Sequence, residues 1–541
     1  MRIASWFAPF LAGAVALLLG QDASWDLRNY HYYAPHAWLT GRLDRDVAVA
    51  HLASFYNPTL HLPFHWLVRH LEPAVVGALL GALAGCNLWC LVAIAARVDA
   101  ADGQAARPGV VLPLALAGLL GAMFVSEVGT SFGDNLLSLP VLAAVAWALR
   151  ELPRLRDGPG RVRAAVGPAL LCGAAAGLKL PFALYGIALA AALLCVPRTQ
   201  RGRWEVLLAC GAAGLGGALL TGGWWALEMW QRFGNPVFPY FNGLFGSPWA
   251  GVATYRDPRF LPEDAWQALQ FPFYFVLAPR RLAEVEFVDL RFPLLYLALL
   301  ALGMSLGARR WAARRDAAST PGAPERLAPG AVVVRPGALV DRFLLVFVVV
   351  AFVAWMQVFG IARYLVAAEL LAPVAIWAAL RRLRPVRPPG VATALSLLAL
   401  LALTGSPAHW DRRPWSEDYF DVDLPRFAEP GRTLVLMAGN EPSAYQVPFM
   451  PPATRVLRIE GYFTGPSAVP NETDRLMQRV VRAHEGPVLF LFRSYERPRA
   501  GRAAAAFGLG IAEQGCRSFL PGIEPDRLHP FLLCHGVRLQ P

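Results

Sequence analysis

Long apolar runs separated by arginine-rich loops constrain this chain more than any other feature of its sequence. A helix that crosses a bilayer needs ~20 apolar residues, and such runs recur from residue 3 to residue 404. Only 16% of the residues are charged, whereas a soluble domain averages about 25%. The sequence therefore predicts a polytopic α-helical membrane protein with about eleven spans. We place the spans at about residues 3–20, 74–96, 110–126, 133–149, 164–178, 181–196, 205–226, 288–307, 342–360, 364–380 and 391–404.

The loops between these runs form two groups that differ in arginine content. Arginine clusters occur within residues 150–163, 198–203, 309–342 and 381–387, and they alternate with short loops that are nearly free of arginine. The positive-inside rule assigns the clusters to the cytoplasm, so we expect the N-terminus inside and the C-terminus outside. The net charge of +12 follows from these loops, and we predict no nucleic-acid partner.

This orientation places three segments outside the membrane, namely 21–73, 227–287 and everything after about residue 405. The first apolar run lacks a strongly basic leader and a clear cleavage site, so we interpret it as a retained span rather than a signal peptide. The resulting division is a membrane part at 1–404 and an extracytoplasmic domain at 405–541.

The C-terminal segment changes from apolar runs to short strands. Strands are predicted at Thr433–Ala438, Arg455–Ile459 and Val488–Phe492, with helices at Glu472–Ala483 and Arg502–Glu513, which is typical of a small α/β domain. Two further strands, Gly515–Leu520 and Phe531–Val537, carry Cys516 and Cys534. On the oxidising side of a membrane these cysteines either form a disulfide or remain two separate buried thiols.

The first outward loop contains an aspartate at the start of an amphipathic stretch. Apolar and aromatic residues recur at helical spacing from Leu27 to Trp38, and Trp and Tyr favour the membrane–water boundary. We therefore predict a short helix lying along the outer surface, beginning at Asp26. Asp26 has two interpretations, an N-cap that accepts backbone N–H bonds and a general base at the rim of a membrane cavity.

The second outward loop adds two carboxylates, Glu127 and Asp134. Carboxylates at a membrane face are costly unless they are paired or lie in a wet cavity. Asp134 either caps the fourth span or acts as a second acid that orients an acceptor or a metal. We favour Asp26 with Asp134 as an acidic pair.

Cations beside these loops are candidates for binding an anionic substrate. Lys179 is the only lysine among 50 basic residues, and it lies beside a helix break at Gly177–Pro181; it forms either a structural salt bridge or a phosphate contact. Arg363, at the outer start of the tenth span, either binds phosphate bidentately or pairs with Glu369. Three arginines of the large outward loop are further candidates that are equally consistent with simple solvation: Arg256, Arg280 and Arg281.

Histidines and aromatic residues are concentrated in the outward loops. His61-x3-His65 has a spacing that binds zinc on a helix, but Pro58 and Pro63 disfavour a regular helix there, so hydrogen bonding at the interface is the default. A group of aromatic residues near the large loop either stacks on a sugar or belongs to the interfacial aromatic belt: Trp224, Trp225, Tyr240, Trp249 and Tyr255.

Short motifs in the outward loops resemble the GT-C glycosyltransferase superfamily, which includes aminoarabinose transferases and protein O-mannosyltransferases. The first motif is an acid after the first span, a Tyr four positions on and a Gly fifteen positions on, here Asp26, Tyr30 and Gly41. The second is Phe233–Tyr240, similar to a Gly-Asn-Pro-(Val/Ile)-Phe-Pro element of uncharacterised bacterial members. Many members carry two adjacent acids in the first loop, whereas this chain has Asp26-Leu27 with Asp22 one turn earlier.

The resemblance implies an inverting transferase of the bacterial cytoplasmic (inner) membrane, with a periplasmic C-terminal domain. Such enzymes move a sugar from a polyprenyl-phosphate carrier to a lipid, glycan or protein acceptor at the outer face. Asp26 would be the general base and Asp134 would support the acceptor or a metal. The implied substrate-binding residues are Lys179, Arg363, Tyr364, Tyr30, Glu127 and Asn235. No cofactor is certain, although a divalent metal is compatible with the superfamily.

Two functions of other classes remain open from the sequence. A transporter or flippase of lipid-linked glycans would line a cavity open to both faces with charge. A non-catalytic envelope assembly protein would use its exported domain to bind partners. The sequence contains no P-loop, dinucleotide glycine pattern, C-x-x-C pair or G-x-S-x-G elbow, which are the motifs of the commoner soluble enzyme classes.

Overall fold

The computed structural model describes residues 6–253, 255, 257–319, 336–383, 389–467 and 469–539. It is mainly helical, and a small mixed sheet forms the C-terminal region. The helices in chain order are α1 (Ala8–Leu19), α2 (Tyr33–Leu39), α3 (Leu62–His70), α4 (Pro73–Gly85), α5 (Asn87–Asp99), α6 (Pro108–Leu119), α7 (Ala122–Ser126), α8 (Asp134–Asp157), α9 (Arg161–Leu178), α10 (Ala183–Leu194), α11 (Gln200–Phe233), α12 (Asn242–Phe245), α13 (Ala265–Gln270), α14 (Tyr274–Leu277), α15 (Arg291–Ser319), α16 (Pro336–Val358), α17 (Val366–Leu380), α18 (Val391–Thr404), α19 (Glu472–Ala483) and α20 (Arg497–Ala506).

Six helical segments are long and apolar enough to cross a membrane, which indicates a multi-pass membrane protein. They are Pro73–Asp102, Asp134–Asp157, Gln200–Phe233, Arg291–Arg315, Gly337–Val358 and Ala362–Leu380. Shorter apolar helices lie at Ala8–Leu19, Pro108–Leu119, Leu180–Leu194 and Val391–Thr404, and α9 occupies the remaining predicted segment. A helix is therefore present at each apolar run, while the number of crossings and their orientation stay predictions.

The predicted break between two apolar runs is present at Lys179. Helix α9 ends at Leu178, and Lys179 adopts an extended conformation with φ −147° and ψ 111°. A single 3-10 turn, Leu180–Phe182, then leads into α10. Pro181 supplies no backbone N–H and fixes its own φ, so it suits the first turn after the break.

The C-terminal strands follow the sequence prediction closely. They are β1 (Leu434–Ala438), β2 (Arg455–Glu460), β3 (Val488–Arg493), β4 (Leu509–Ile511), β5 (Arg517–Phe519) and β6 (Phe531–Arg538). The sheet order is β2-β1-β3-β6-β4, with β5 also paired to β6. Strands β1, β2 and β3 are parallel, whereas β6 runs antiparallel to β3, β4 and β5.

The disulfide that the sequence left open is formed, between Cys516 and Cys534, and it joins the start of β5 to β6. It is consistent with an extracytoplasmic domain. The helix predicted at Arg502–Glu513 was placed too late in the chain. Helix α20 ends at Ala506, because Gly508 has a positive φ of 70° and the next three residues pair with β6 as strand β4.

The helix predicted in the first outward loop is present from Trp25 to Leu39, interrupted at Tyr32, but the C-terminal domain covers it. Residues Leu27–His31 form one π-helical turn, all of it buried, and α2 follows. Val47 adds to the sheet edge: its N–H donates to the Val456 carbonyl at 3.1 Å and its carbonyl accepts from Arg458 at 3.0 Å. The amphipathic pattern is real, but its partner is protein rather than the membrane surface.

Candidate functional site

Two ion pairs lie close to one tyrosine ring, and both involve residues singled out from the sequence. Arg363 Nη1 donates to Asp26 Oδ2 at 2.5 Å, and Lys179 Nζ donates to both Asp134 oxygens at 2.7 and 2.8 Å. Lys179 Nζ and the Arg363 guanidinium each lie 5.2 Å from the centre of the Tyr364 ring. The structure thus brings together four predicted charged residues and the predicted Tyr364.

The Lys179–Asp134 pair shows which interpretation of each residue holds. Asp134 is the first residue of α8 and makes no capping bond at that helix, so its interpretation as a cap was wrong. Lys179 also donates to the Phe132 carbonyl at 3.2 Å. A buried ammonium needs such partners because desolvation of an isolated charge is costly. The salt bridge expected for Lys179 is formed, and its anion is the candidate second acid.

Arg363 does not pair with Glu369, which was the structural alternative for this arginine. Glu369 instead accepts hydrogen bonds from the backbone N–H groups of Met123 and Phe124 at 3.0 and 2.9 Å, at the N-terminus of α7. The Arg363 guanidinium lies 5.0 Å from the ring centre of Phe132, a distance typical of cation–π contacts. Asp26 is helical itself and makes no capping bond, so its interpretation as an N-cap was also wrong.

Asp22, the other acid of the first loop, has a separate partner in the second loop. Its carboxylate accepts from the Ser131 N–H at 2.9 Å and the Ser131 hydroxyl at 2.7 Å. The same hydroxyl lies 2.7 Å from His31 Nδ1. Because the hydroxyl proton points at Asp22, we assign the donor hydrogen to His31 Nδ1. Asp22 therefore orients Ser131 and His31, and Asp26 is the acid of the pair that meets the cations.

Glu127 is buried near the two ion pairs, and no described residue hydrogen-bonds either of its carboxyl oxygens. Burial, followed by the neighbouring Asp134 carboxylate, raises the pKa of Glu127 well above its ordinary value. A carboxyl group in such surroundings is favoured in its protonated form. Glu127 thus differs from Asp26 and Asp134, each of which has a cationic partner.

Tyrosines from separate parts of the chain form a cluster near the Asp26 carboxylate. The Tyr30 ring is buried and packs edge-on against Tyr56 at 5.2 Å between centroids. The Tyr56 and Tyr240 hydroxyls are 2.5 Å apart. Burial, opposed by that hydrogen bond and assisted by Asp26, raises the pKa of Tyr240 to about 12. Tyr30 and Tyr240 were singled out from the sequence, whereas Tyr56 was not.

Asn235 lies outside the charged cluster and shapes the loop that presents Tyr240. Its amide nitrogen donates to the Tyr240 carbonyl at 2.9 Å, and its oxygen accepts from the Val237 N–H at 3.0 Å. Both halves of the amide are therefore used within residues 235–240. This arrangement favours a positioning role for the Gly-Asn-Pro element, not direct contact with a substrate.

Most of the other aromatic candidates take part in packing. Trp225 donates to the Phe55 carbonyl at 2.8 Å, and Trp224 donates to the Thr59 hydroxyl at 3.2 Å. The Tyr255 ring packs 5.7 Å from that of Phe463, and the Trp249 carbonyl accepts from Thr473.

Two arginines of the large outward loop form ion pairs with glutamates of the same loop. Arg280 and Arg281 pair with Glu286 and Glu263 in exposed positions, which supports their interpretation as solvated. Arg256 lies outside the described residues.

The histidines of the first loop pack mainly against other rings. His61 stacks on His31 with 4.1 Å between centroids, and the His65 ring lies 4.9 Å from that of Tyr32. Within the part of the chain that the structure describes, no group of three or more His, Cys, Asp or Glu side chains is arranged to hold a metal ion. Asp134, expected to orient an acceptor or a metal, is engaged by Lys179.

The chain matches no protein-family model, and no curated protein matches it either. The arrangement of the site residues is therefore the basis for any assignment. Sequence reasoning missed His31, Ser131 and Tyr56 as part of this site. The density of aromatic and histidine residues in the first loop was the available signal, but their partners lie in other loops.

Proposed function

We propose that the protein is an integral-membrane glycosyltransferase that moves a sugar from a polyprenyl-phosphate carrier to an acceptor hydroxyl at the outer face of the membrane. The observation that carries this proposal is the pair of buried ion pairs around Tyr364. Two carboxylates and two cations within one site supply a base for the acceptor and positive charge for a leaving phosphate.

The proposed step transfers the sugar with inversion of the anomeric carbon. The acceptor oxygen attacks that carbon while its proton passes to the Asp26 carboxylate. The bond between the anomeric carbon and the phosphate oxygen breaks, and the polyprenyl phosphate leaves with the electron pair. Arg363 and Lys179 then bind the phosphate oxygens, which carry the charge that develops in the transition state. Asp134 orients Lys179 and, through it, the leaving group.

The existing ion pairs are compatible with this role because a phosphate competes for the same cations. Arg363 presents a fork that binds a phosphate and a carboxylate with similar geometry. Arrival of the donor phosphate at Arg363 would weaken its bond to Asp26 and free that carboxylate to accept a proton. In this scheme, binding of the donor phosphate frees the Asp26 carboxylate to act as the base. Before the donor binds, the ion pair with Arg363 ensures that neither buried charge lacks a partner.

The decisive experiment measures donor cleavage by the purified full-length protein in nanodiscs. Undecaprenyl phosphate carrying radiolabelled glucose, mannose or N-acetylglucosamine is supplied with a cell-envelope extract as acceptor source. Movement of label out of the carrier fraction reports transfer for any acceptor. We compare the wild type with Asp26→Asn and with Asp44→Asn, a matched control in the same outward loop whose side chain is 72% exposed.

We expect Asp26→Asn to lower the cleavage rate by about 10²–10⁴-fold, the usual contribution of a general base. Asp44→Asn should behave as the wild type, and both variants should elute from gel filtration as the wild type does. A folded Asp26→Asn protein with normal cleavage would exclude Asp26 as the base. If the wild type moved the carrier between leaflets without cleaving it, and Asp26→Asn lost this movement, the flippase alternative would be favoured.

A further inference from the structure

The C-terminal domain contributes an aromatic residue to the surroundings of Asp26. Tyr462 follows β2 directly, and its ring stacks on His51 with 4.0 Å between centroids and an interplanar angle of 20°. The Trp25 ring, next in the chain to Asp26, lies 5.9 Å from the Tyr462 ring. Desolvation of the hydroxyl, followed by the Asp26 carboxylate, raises the pKa of Tyr462 well above its ordinary value, although nearly half of the residue's surface stays accessible. The proposed base therefore lies close enough to Tyr462 to affect the ionisation of its hydroxyl.

Tyr462 remains open to a ligand although its surroundings are crowded. The residue is 45% exposed, whereas Tyr30 near the same carboxylate is buried. The ring thus offers a free surface that packing within the chain does not use.

The position of Tyr462 is held by contacts between the sheet and the first outward loop. Arg458, in β2, donates to the Val49 carbonyl at 2.8 Å and to the Gly439 carbonyl at 2.9 Å. Thr464 donates to the Arg458 carbonyl at 2.7 Å, which closes the turn that carries Tyr462. At Gly461, a Cβ atom would lie 2.3 Å from His51 Cε1, so only glycine permits this close stack.

We propose that Tyr462 and Trp25 form a sugar-ring subsite beside Asp26, so that the C-terminal domain completes the active site rather than only covering it. The inference rests on the proposed function and identifies the ligand class of one part of the site. Aromatic faces pack against the apolar face of a pyranose, while tyrosine hydroxyls and a carboxylate bond its hydroxyl edge. Each of the two ion pairs has no net charge, which favours a neutral sugar over a charged one at this position.

The sugar has two possible sources, the donor headgroup and the acceptor, and direct binding separates them. Saturation-transfer NMR on the full-length protein in nanodiscs uses methyl glucoside, methyl mannoside and methyl N-acetylglucosaminide as free probes. Undecaprenyl-phosphate-linked glucose is the lipid-linked probe, and its binding is measured at equilibrium with the radiolabelled form. If Tyr462→Ala weakens binding of the free glycosides, the subsite holds the acceptor. If it weakens binding of the lipid-linked probe alone, the subsite holds the donor headgroup.

Three variants make the test specific for the ring. We expect Tyr462→Ala to weaken binding of the affected probe by about tenfold, the usual contribution of one aromatic stack. Tyr462→Phe should retain at least half of the wild-type affinity because the ring persists. Tyr495→Ala is the matched control, since Tyr495 is a similarly exposed tyrosine of the same domain that packs against His529.

The outcomes distinguish this subsite from the proposed reaction. Wild-type affinity in a folded Tyr462→Ala protein, or no binding of any probe by the wild type, would overturn the subsite. Binding that depends on Tyr462 in a protein that cleaves no donor would retain the subsite and reject the transferase. In an active enzyme, the variant should raise KM for the affected substrate about tenfold and change kcat by less than about threefold.

Discussion

Two clusters of buried charge include residues of the first outward loop, and they differ in how their charges are matched. In the site cluster, each cation holds one carboxylate, Arg363 with Asp26 and Lys179 with Asp134. In the second cluster, the single carboxylate of Glu524 is shared by two arginines. Arg28 Nη1 donates to it at 2.7 Å and Arg493 also donates to it.

The second cluster, which we call the interface staple (Arg28, Tyr445, Arg493 and Glu524), joins the first outward loop to the C-terminal domain. Tyr445 completes it with a hydroxyl bond of 2.6 Å to Glu524. Burial raises the pKa of Glu524 even though both guanidiniums oppose that shift. A pair under such conditions is costly to maintain, and it specifies the geometry of docking more than it adds stability.

The comparison teaches that buried charge alone does not identify a catalytic site. In the interface staple, both oxygens of Glu524 accept hydrogen bonds from buried side chains. The site cluster has partners that a phosphate can replace, an unpartnered Glu127 and the accessible Tyr462 ring. Exchangeable partners and open surface are the features that favour chemistry over structure.

The largest expected effect in stability belongs to the interface staple. Glu524→Gln leaves the buried Arg493 guanidinium without a counter-charge and Arg28 with only the half-exposed Asp411, so we expect a loss of about 3–5 kcal/mol in the free energy of unfolding. Thermal unfolding in detergent and limited proteolysis would measure it. Unchanged stability in Glu524→Gln would show that the interface staple does not have the structural role that separates it from the site cluster. The site variant Asp26→Asn, by contrast, is expected to change activity much more than folding.

The disulfide should provide the next largest effect, and it acts within the C-terminal domain alone. Cys516 and Cys534 are separated by 18 residues, and closing a loop of this size stabilises a fold by roughly 3 kcal/mol. We expect Cys516→Ser to lower the unfolding temperature of the domain, and a reductant to do the same to the wild type. The double serine variant is the control, which should not respond to the reductant.

The histidine stack beside the site predicts an acid-sensitive fold. Burial lowers the pKa of His61 to about 3, whereas an unfolded histidine titrates near 6.5. The unfolded state therefore binds a proton that the folded state refuses, so the stabilisation is complete above pH 6.5 and is lost as the pH falls toward 3.

At pH 5 this single group should reduce the free energy of unfolding by roughly 2 kcal/mol relative to pH 7. His61→Phe keeps a ring for the stack and removes the titration, so its stability should fall less between pH 7 and pH 5. His70→Phe alters an exposed histidine of the same loop and should leave the wild-type profile. An unchanged slope in His61→Phe would contradict this assignment.

The smallest effect should come from the exposed member of the interface staple's surroundings. Arg28 also contacts Asp411 at 3.3 Å, but the Asp411 side chain is 49% exposed. Exposed pairs contribute less than about 1 kcal/mol, so Asp411→Asn should be nearly neutral in thermal unfolding. A loss as large as that of Glu524→Gln would show that burial does not separate the two partners of Arg28.

Several elements of this fold were predictable because local pattern is sufficient to specify them. The apolar runs became helices, and five of the six described strands lie within a residue or two of their predicted positions, whereas β4 formed where a helix was predicted. The helix predicted at Arg502–Glu513 failed because Gly508 and the edge of β6 override a helical composition. The helix at Asp26 formed as predicted, but its burial under the C-terminal domain was not foreseen, because amphipathic periodicity reveals an apolar face without revealing what covers it.

The sequence by itself determined which charged residues are anomalous: one lysine among arginines, an arginine at the outer start of a span, and acids in the outward loops. Only the tertiary structure decided their partners, pairing Arg363 with Asp26 across 337 residues and Lys179 with Asp134 across 45. An unpaired charge in an apolar environment is costly wherever it occurs, so the need for a partner can be read from composition. The identity of that partner depends on how distant loops pack, which no local pattern contains.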